Sequence, residues 1–540
     1  MLTTLAAPAF AGTWYIEDGD ITVKAGETEG TNKVSQGANQ EVEDTDTIIK
    51  NREDTASSNT VTINAEDKND KVEVTLKDVN IDTSSRNKAA VSVTGSGNTT
   101  IKLDGDNHLT GGNGIYSNSS GSLTISGDEN DSLTAQGGDS RNGIYSVSGD
   151  VTISGGTVTA TGGNSTGSYG SGGDGIHSGS LTISGGTVTA TGGGSTGSNG
   201  LGGRGICSDS GGVTISGGST VTANGGNGSD GGSGISSSSG VTVSDGTVTA
   251  NGGNGGNVSG DGIRSDGGIT ISSGTVKAAG GDSKDGYGGD GIRSGGGVTI
   301  SGNTVNAAGG NGGKVGGYGI CSFDRVAISG GTVNAAGGNS SYGGGDGIRS
   351  SVIDLSGSLE LTAKAGSPNG KALSQRGNEL VLDTIKDKLG PGAKVTATDA
   401  DGKVIAQVPI PRPVEPEEPV IPEESSSSSD GGSATPSAPA SSLPGLTVTD
   451  KDDQRISYTS TQSGNTLTVC VGRLTASFRI SLAALRQLRA EGIETITFQT
   501  ILCSTTLSLD ELLAMGGEDT EVVLTHHIRS STLTVGGKAV

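Results

Sequence analysis

Short stretches in which apolar and polar residues alternate recur along most of the chain. Residues 151–153 (VTI) and 157–160 (TVTA) are two of them, separated by a Gly-Gly corner. Alternation with a period of two predicts β-strands that bury one face and expose the other. A Gly-Ile dipeptide precedes each such pair, and its isoleucines recur at intervals of 28–32 residues: Ile115, Ile144, Ile176, Ile206, Ile235, Ile263, Ile292, Ile320 and Ile348.

This repeat predicts a parallel β-helix. Each unit supplies three short strands, which are the Gly-Ile strand, a VTI-like strand and a TVTA-like strand, and a glycine-rich loop leads to the next unit. Stacking the units buries a narrow core of Ile, Val and Ala. We therefore predict an all-β fold, a single-stranded parallel β-helix with right-handed crossovers, followed by a small α+β domain.

Two further patterns favour stacked coils over a disordered glycine-rich tract. Proline, which would remove a ladder hydrogen bond, is absent between residues 9 and 367, whereas nine of the twelve prolines lie between residues 409 and 444. An Asn or Asp also follows the glycine corner after the TVTA-like strand, and these residue types tolerate left-handed turns and can bond to neighbouring coils. These residues are Asp139, Asn164, Asn227, Asn254, Asp282, Asn311 and Asn339.

Composition shifts along the chain predict its domain organisation. The Pro/Ser/Gly-rich stretch at 409–444 is typical of a linker. The residues after it have the composition of an ordinary globular domain. There, Ser481 precedes a helix with Leu482, Leu485 and Leu488 on one face, and Ser508 with Glu511 opens a second helix. The predicted segments are a leader remnant at 1–11, an N-terminal cap with irregular coils at 12–112, regular repeats at 113–365, a C-terminal cap at 366–408, the linker at 409–444 and the α+β domain at 445–540.

Composition and charge exclude several classes of function. Of 540 residues 100 are glycine, aromatic residues make up 2%, and the net charge is −23. So few large side chains cannot fill several thick cores, which is why a thin-cored repeat fits. The negative charge argues against nucleic acid and anionic membrane surfaces as partners, and no apolar run approaches the ~20 residues of a membrane span. We expect a monomer.

The four cysteines do not form a disulfide framework. Cys207 and Cys321 follow equivalent Gly-Ile dipeptides four coils apart, about 19 Å at the strand spacing, and are expected to be free thiols. Cys470 and Cys503 lie on different predicted strands, so a disulfide between them stays open. The adjacent His526 and His527 are expected at the surface.

Residues 1–11 (MLTTLAAPAFA) are apolar and end in Ala-Phe-Ala, the small-x-small pattern of a signal-peptidase site. The basic residues that usually begin a secretory signal are missing from this segment. The pattern favours export, with cleavage before Gly12, so that we expect an extracellular or cell-surface protein.

The coil motif carries a family resemblance. The sequence VTISGGTVTATGG at 151–163, its near copy LTISGGTVTATGG at 181–193, GGDGI at 172–176, and the upstream VTLKDVNIDTSS (74–85) and IKLDGDNHLTG (101–111) resemble the carbohydrate-binding-domain-containing β-helix proteins of Gram-positive bacteria. Those proteins are similar in fold to pectate lyases. The resemblance covers roughly residues 45 to 365 and implies a secreted or surface protein that binds plant-type polysaccharide, with calcium as a candidate cofactor. No individual site residue is carried over from the family.

Stacking the coils also turns equivalent positions into columns of side chains. Asp-Gly-Ile-Arg units set carboxylates and guanidiniums in adjacent rows, where the guanidiniums could pair with uronate carboxylates and the carboxylates could hold calcium or sugar hydroxyls. The alternative is a solvated ion ladder that contributes little free energy. Scattered tyrosines are too few for a crystalline-cellulose surface and favour an anionic glycan. The candidate carbohydrate-binding residues are Asp261, Arg264, Asp290, Arg293, Asp346, Arg349, Tyr287 and Tyr318.

We predict a non-catalytic polysaccharide-binding protein. One alternative is a structural stalk or adhesin whose specificity lies in the C-terminal domain. A second is a pectate-type lyase, which we disfavour because an arginine beside each aspartate would keep it ionised and because no single coil is distinguished for chemistry. Outward Thr-x-Thr pairs resemble an ice-binding face, but Lys277, Asn306 and Asn334 interrupt that array.

Overall fold

The computed structural model describes residues 11–302, 304–411 and, in the C-terminal part, 445–540 without 451–453, 457, 464, 472, 474, 501–503, 518–519, 527–530, 537 and 540. The predicted leader (apart from Ala11), most of the predicted linker, Cys503 and His527 lie outside these residues. The chain forms two compact units, Met1–Pro416 and Glu417–Val540. About half of it is strand, and the first unit is a parallel β-solenoid of about 15 turns. None of the described helices has the length and apolar character of a membrane span.

The Gly-Ile strands stack into a sheet that we call sheet A. Its strands are parallel in the repeat region, and an antiparallel hairpin covers each end. In spatial order the strands are Asn39–Asp44, Asn32–Gln36, Ile21–Ala25, Val61–Ala65, Val91–Gly95, Ile115–Ser117, Ile144–Ser146, Ile176–Ser178, Ile206–Ser208, Ile235–Ser237, Ile263–Ser265, Ile292–Ser294, Ile320–Ser322, Ile348–Ser350, Leu373–Gln375 and Asn378–Glu379.

The other two strands of each turn form sheets B and C. Sheet B contains Thr13–Tyr15, Ile48–Lys50, Lys71–Lys77, Asn98–Asp104, Leu123–Ser126, Val151–Ile153, Leu181–Ile183, Val213–Ile215, Gly240–Val243, Gly268–Ile271, Val298–Ile300, Arg325–Ile328 and Val352–Leu355. Sheet C contains Asn80–Asp82, Asp106–Gly111, Ser132–Gly137, Thr157–Thr161, Thr187–Thr191, Thr220–Asn224, Thr247–Asn251, Thr275–Ala279, Thr304–Ala308, Gly331–Ala336, Leu359–Lys364, Lys394–Thr398 and Val404–Pro409. Its last strand pairs antiparallel with its neighbour and ends the sheet.

Minor elements complete this unit: the strands Gly228–Asp230 and Gly255–Val258, and the 3-10 helices Ile16–Asp18, Ser84–Arg86 and Leu382–Lys388. The core is a stack of small aliphatic side chains, as predicted. Every isoleucine of the repeated Gly-Ile dipeptides is fully buried, as are the inward Val158 and Ala160 of sheet C. Alternation along each strand therefore points one row of side chains into the core and the next row outward.

The predicted corner ladder is present. Of the two reasons given for its residue types, hydrogen bonding to neighbouring coils is confirmed and the left-handed turn is not. Along one run of turns, the side-chain oxygen of each Asn or Asp accepts a hydrogen bond of 2.6–2.9 Å from the backbone N–H of its counterpart in the next turn. These residues are Asn254, Asp282, Asn311 and Asn339. None of the four has the positive φ of a left-handed turn. The hydrogen bond between turns therefore accounts for the residue type.

The glycine-rich loops contain a second hydrogen-bonded stack, which we call the glycine ladder. The N–H of each ladder glycine donates to the carbonyl of the preceding one at 2.7–3.1 Å, alternately within a turn and between turns. A Cβ on Gly163 would lie 1.7 Å from the Gly138 oxygen, and one on Gly232 would lie 1.9 Å from the Gly203 oxygen. No other residue type fits at these distances. The ladder runs through Gly163, Gly173, Gly193, Gly203, Gly226, Gly232, Gly253, Gly260, Gly281, Gly289, Gly310, Gly317, Gly338, Gly345, Gly366 and Gly370.

The described residues of the second unit form two sheets and two helices. One sheet consists of Leu446–Thr449, Ala476–Ser481, Glu521–His526, Ser531–Val535 and Lys538–Ala539, and the other of Thr459–Ser463, Thr466–Cys470, Thr495–Gln499 and Ser504–Ser508. Helix α1 (Leu482–Ala490) and helix α2 (Leu509–Leu513) begin after Ser481 and Ser508, whose side chains accept from backbone N–H groups as predicted. The expected surface position of His526 is wrong, because this side chain is fully buried and packs against Phe478.

Candidate functional site

One column of outward side chains runs along sheet A, as the repeat predicts. Strand pairing sets each member directly opposite the next, so neighbours are about 4.8 Å apart. We call this row the outer column. It consists of Tyr116, Tyr145, His177, Cys207, Ser236, Arg264, Arg293, Cys321 and Arg349.

The aspartates three residues before the column are not open to solvent. Asp261, Asp290 and Asp346 are only 7%, 4% and 6% exposed. One oxygen of each accepts a backbone N–H of the next turn at 2.7–2.8 Å. One oxygen of each carboxylate therefore holds adjacent turns in register, and the binding of calcium or sugar hydroxyls by this row stays a prediction.

The pKa values of Asp261 and Asp290 also differ from the expectation. Burial, together with repulsion from Asp261, raises the pKa of Asp290 to about 7. Burial likewise raises the pKa of Asp261 above its usual range. The guanidinium of Arg293, whose Nη1 is 3.4 Å from Asp290 Oδ2, lowers the pKa of Asp290 but does not compensate for burial. For Asp290, therefore, the neighbouring arginine does not keep the carboxyl group fully ionised at neutral pH, contrary to the prediction from the sequence.

Three arginines converge at the C-terminal end of the outer column. Arg293, Arg349 and Arg376 line a cleft of about 530 Å³, together with Tyr318 and Phe323, and we call it the arginine cleft. Arg349 Nη1 donates to the Tyr318 hydroxyl at 2.5 Å, and its guanidinium lies 4.9 Å from the centre of the same ring. The Arg293 guanidinium lies 5.3 Å from the Phe323 ring centre. These contacts orient the two guanidiniums and leave them facing the cleft.

The remaining candidate residues lie apart from this cleft. Arg264 occupies the outer column, but it lines a different cleft, described below, where its Nε is 3.9 Å from Asp266 Oδ1. Tyr287 lies in a glycine-rich return loop, where Lys314 Nζ is 5.9 Å from its ring centre. Within the part of the chain that the structure describes, Tyr287 does not line the arginine cleft. Arg376 is not among the residues predicted from the sequence, because it lies outside the repeat, after residue 365.

The N-terminal end of the outer column is aromatic. The ring centres of Tyr116 and Tyr145 are 5.7 Å apart, and those of Tyr145 and His177 are 5.0 Å apart. Both tyrosines line a cleft of about 510 Å³ with Arg141 and Lys88. Partly exposed tyrosine rings beside basic groups provide an apolar face and a positive charge at one place. The sequence places these residues in the column, but their contacts become evident only with the fold.

A cluster of titratable side chains lies between these two clefts. His177 Nδ1 is 2.7 Å from Asp174 Oδ2, and His177 Nε2 is 2.8 Å from Asp209 Oδ2. Arg204 Nη1 donates to Cys207 Sγ at 3.1 Å, and the Cys207 thiol donates to Asp209 Oδ1 at 3.3 Å. Apart from His177, these residues line a cleft of about 580 Å³. Burial raises the pKa of the Cys207 thiol to about 12.

The sequence signal for this cluster is its column position. Asp174 and His177 are three residues apart in one turn, and Cys207 takes the place of His177 in the next turn. As predicted, Cys207 and Cys321 are free thiols. Whether Cys470 pairs with Cys503 stays open, because Cys503 lies outside the described residues.

Comparison of the chain with protein-family models, with curated proteins and with solved structures finds no match. The parallel β-helix itself agrees with the fold that the resemblance to carbohydrate-binding β-helix proteins implies, and this agreement extends to the fold only. What the chain binds has to be argued from its own surface.

Proposed function

We propose that the outer face of sheet A binds an acidic polysaccharide without cleaving it, outside the cell. The observation that carries the proposal is the arginine cleft, which three arginines line in a chain with a net charge of −23. Such a chain repels polyanions at long range, so attraction must come from local pairs. Guanidinium groups pair with carboxylates through two parallel hydrogen bonds, and uronates carry carboxylates at regular intervals.

The shape of the face supports a linear polymer as the ligand. Three features lie along the same column, from Tyr116 to Arg349. They are the cleft beside Tyr116 and Tyr145, the cluster around His177, and the arginine cleft. Eight steps at the strand spacing give a length of about 38 Å. A chain of sugars lying along this row would contact several turns at once, with aromatic contacts at one end and charged contacts at the other. Export, favoured by the pattern of residues 1–11, brings the protein to such polymers.

Retention of the full-length protein on immobilised polygalacturonate tests this proposal. Exposed ion pairs contribute about 0.2–1 kcal/mol each, so three together change affinity by roughly 3-fold to 100-fold. We expect the triple variant Arg293→Ala, Arg349→Ala, Arg376→Ala to lose at least 3-fold in affinity. The matched control replaces Lys277, Lys314 and Lys364, which lie on sheet C or in a return loop, with Ala and changes the net charge equally.

The same experiment separates the alternatives. Equal retention of both triple variants would overturn the arginine cleft as the binding site. Retention by residues 445–540 alone would favour a stalk whose specificity lies in the C-terminal unit. Release of unsaturated uronates into the supernatant would contradict the non-catalytic part of the proposal and favour a lyase. No retention on acidic or neutral gels would remove the polysaccharide altogether.

A further inference from the structure

The cluster at Asp174, His177 and Cys207 combines three kinds of metal-binding atom. A carboxylate oxygen, a ring nitrogen and the thiol sulfur all lie within 4.8 Å of one another. Asp174 and Cys207 are only 8% and 2% exposed, and His177 is partly buried. Small movements of the side chains would bring all three atoms to the ~2.0–2.3 Å ligand distances of zinc. We propose that these three residues bind a zinc ion.

The surrounding contacts orient each ligand separately. Asp174 Oδ1 accepts the backbone N–H of Arg204 at 2.6 Å, which leaves Oδ2 directed to His177. His177 Nε2 pairs with Asp209 Oδ2 at 2.8 Å, so Nδ1 is the nitrogen that faces Asp174. A histidine that binds a metal through one nitrogen and donates from the other to a carboxylate is the usual arrangement at zinc sites. Asp209 is therefore a positioning residue in this proposal.

Charge and ligand chemistry select the ion. On binding the metal the Cys207 thiol releases its proton to solvent. The resulting thiolate and the Asp174 carboxylate then carry two negative charges, which neutralise a divalent cation in this poorly solvated position. The mixture of sulfur, nitrogen and oxygen suits zinc, whereas calcium takes oxygen ligands alone. The cleft beside the cluster leaves room for a water molecule as a fourth ligand.

The chain supplies a matched control for this site. Cys321 occupies the same column as Cys207 and is also buried and free, but its strand neighbours in the column are Arg293 and Arg349. The two cysteines thus share backbone position and burial and differ in the presence of a histidine. Zinc binding at the cluster should therefore depend on Cys207 and not on Cys321.

The test titrates reduced, metal-free, full-length protein with Co²⁺ and Zn²⁺. Cobalt bound to a thiolate gives a sulfur-to-metal charge-transfer absorption, and zinc displaces it. We expect one such site per chain, absent in Cys207→Ser and weakened at least 10-fold in His177→Ala, but unchanged in Cys321→Ser and Cys470→Ser. Asp209→Asn, a change at an exposed side chain, should weaken zinc binding about 10–100-fold without unfolding the protein.

Two results would overturn the proposal. One is the lack of a thiolate–cobalt absorption in the wild-type protein. The other is an absorption that survives in Cys207→Ser or disappears in Cys321→Ser or Cys470→Ser, since the metal would then lie elsewhere. In case Cys207→Ser does not fold, Asp209→Asn provides a second test. If its zinc affinity and its cobalt absorption both equal those of the wild type, the proposal is overturned. The measurements do not depend on polysaccharide binding, so this inference and the proposed function fail separately.

Discussion

Two uncharged residues in the same row as Asp290 make the same hydrogen bond to the next turn. At Asn113 and Asn142, three residues before their column positions, an amide oxygen accepts the backbone N–H of the next turn, as the Asp290 carboxylate does. The hydrogen bond that keeps the turns in register therefore needs an oxygen and not a charge. A buried carboxylate adds a desolvation cost when it ionises.

The raised pKa of Asp290 fixes the sign of its effect on stability. Because the folded protein holds this proton more tightly than the unfolded chain, the stabilising contribution is complete below about pH 4 and is lost as the pH rises to about 7. We expect Asp290→Asn to unfold at a higher temperature than the wild type at pH 8 and at a similar temperature at pH 4. Thermal unfolding followed by circular dichroism measures both. A destabilised variant at pH 8 would show that the ion pair with Arg293 outweighs burial.

The glycine ladder predicts an unusual sensitivity to a single methyl group. Gly232→Ala places a Cβ 1.9 Å from a carbonyl oxygen, whereas Gly343, another return-loop glycine, has open space at that position. Overpacking of this kind costs about 1–3 kcal/mol. We expect Gly232→Ala to lower the free energy of unfolding by at least about 1 kcal/mol. Gly343→Ala should leave it nearly unchanged, and denaturant titration measures both. Equal effects would contradict a close-packed ladder.

At the scale of elements, the sequence predicted strands and helix starts better than loops. Alternating residues identify the strands because an outward or inward position depends only on the period of two. The same pattern could have identified His526 as buried, since Val522, Leu524 and His526 alternate along one strand. The glycine-rich loops gave no such signal, because their order comes from hydrogen bonds between turns and not from side chains.

The hairpin that ends sheet C carries a prediction at this scale. The strand Val404–Pro409 pairs antiparallel with Lys394–Thr398 and ends sheet C. An uncovered parallel edge offers free backbone groups to another molecule. We expect a chain ending at residue 392 to self-associate, and a chain ending at residue 411 to remain monomeric, in size-exclusion chromatography with light scattering. A monomer at both lengths would show that this hairpin is not needed to protect the edge.

At the scale of the whole molecule, the repeat sets out both fold and candidate site, but not in equal detail. The 28–32-residue interval suffices to align the outer column, so Arg293 and Arg349 were found from the sequence. The burial of the aspartates three residues before the column could not be predicted from the sequence, because these side chains turn toward backbone N–H groups of the following turn. Arg376 was missed for another reason: it belongs to the cap, at a positive φ of 50°, and no repeat position points to it.

Arginine-selective labelling of the full-length protein, read by mass spectrometry, tests the binding face most directly. We expect polygalacturonate to protect Arg293, Arg349 and Arg376 from the reagent. Arg86, paired with Asp20 in the N-terminal coils, and Arg489, paired with Asp510 in the C-terminal unit, should label equally with and without the polymer. Unprotected cleft arginines, or protection found only in the C-terminal unit, would contradict a polysaccharide site on sheet A.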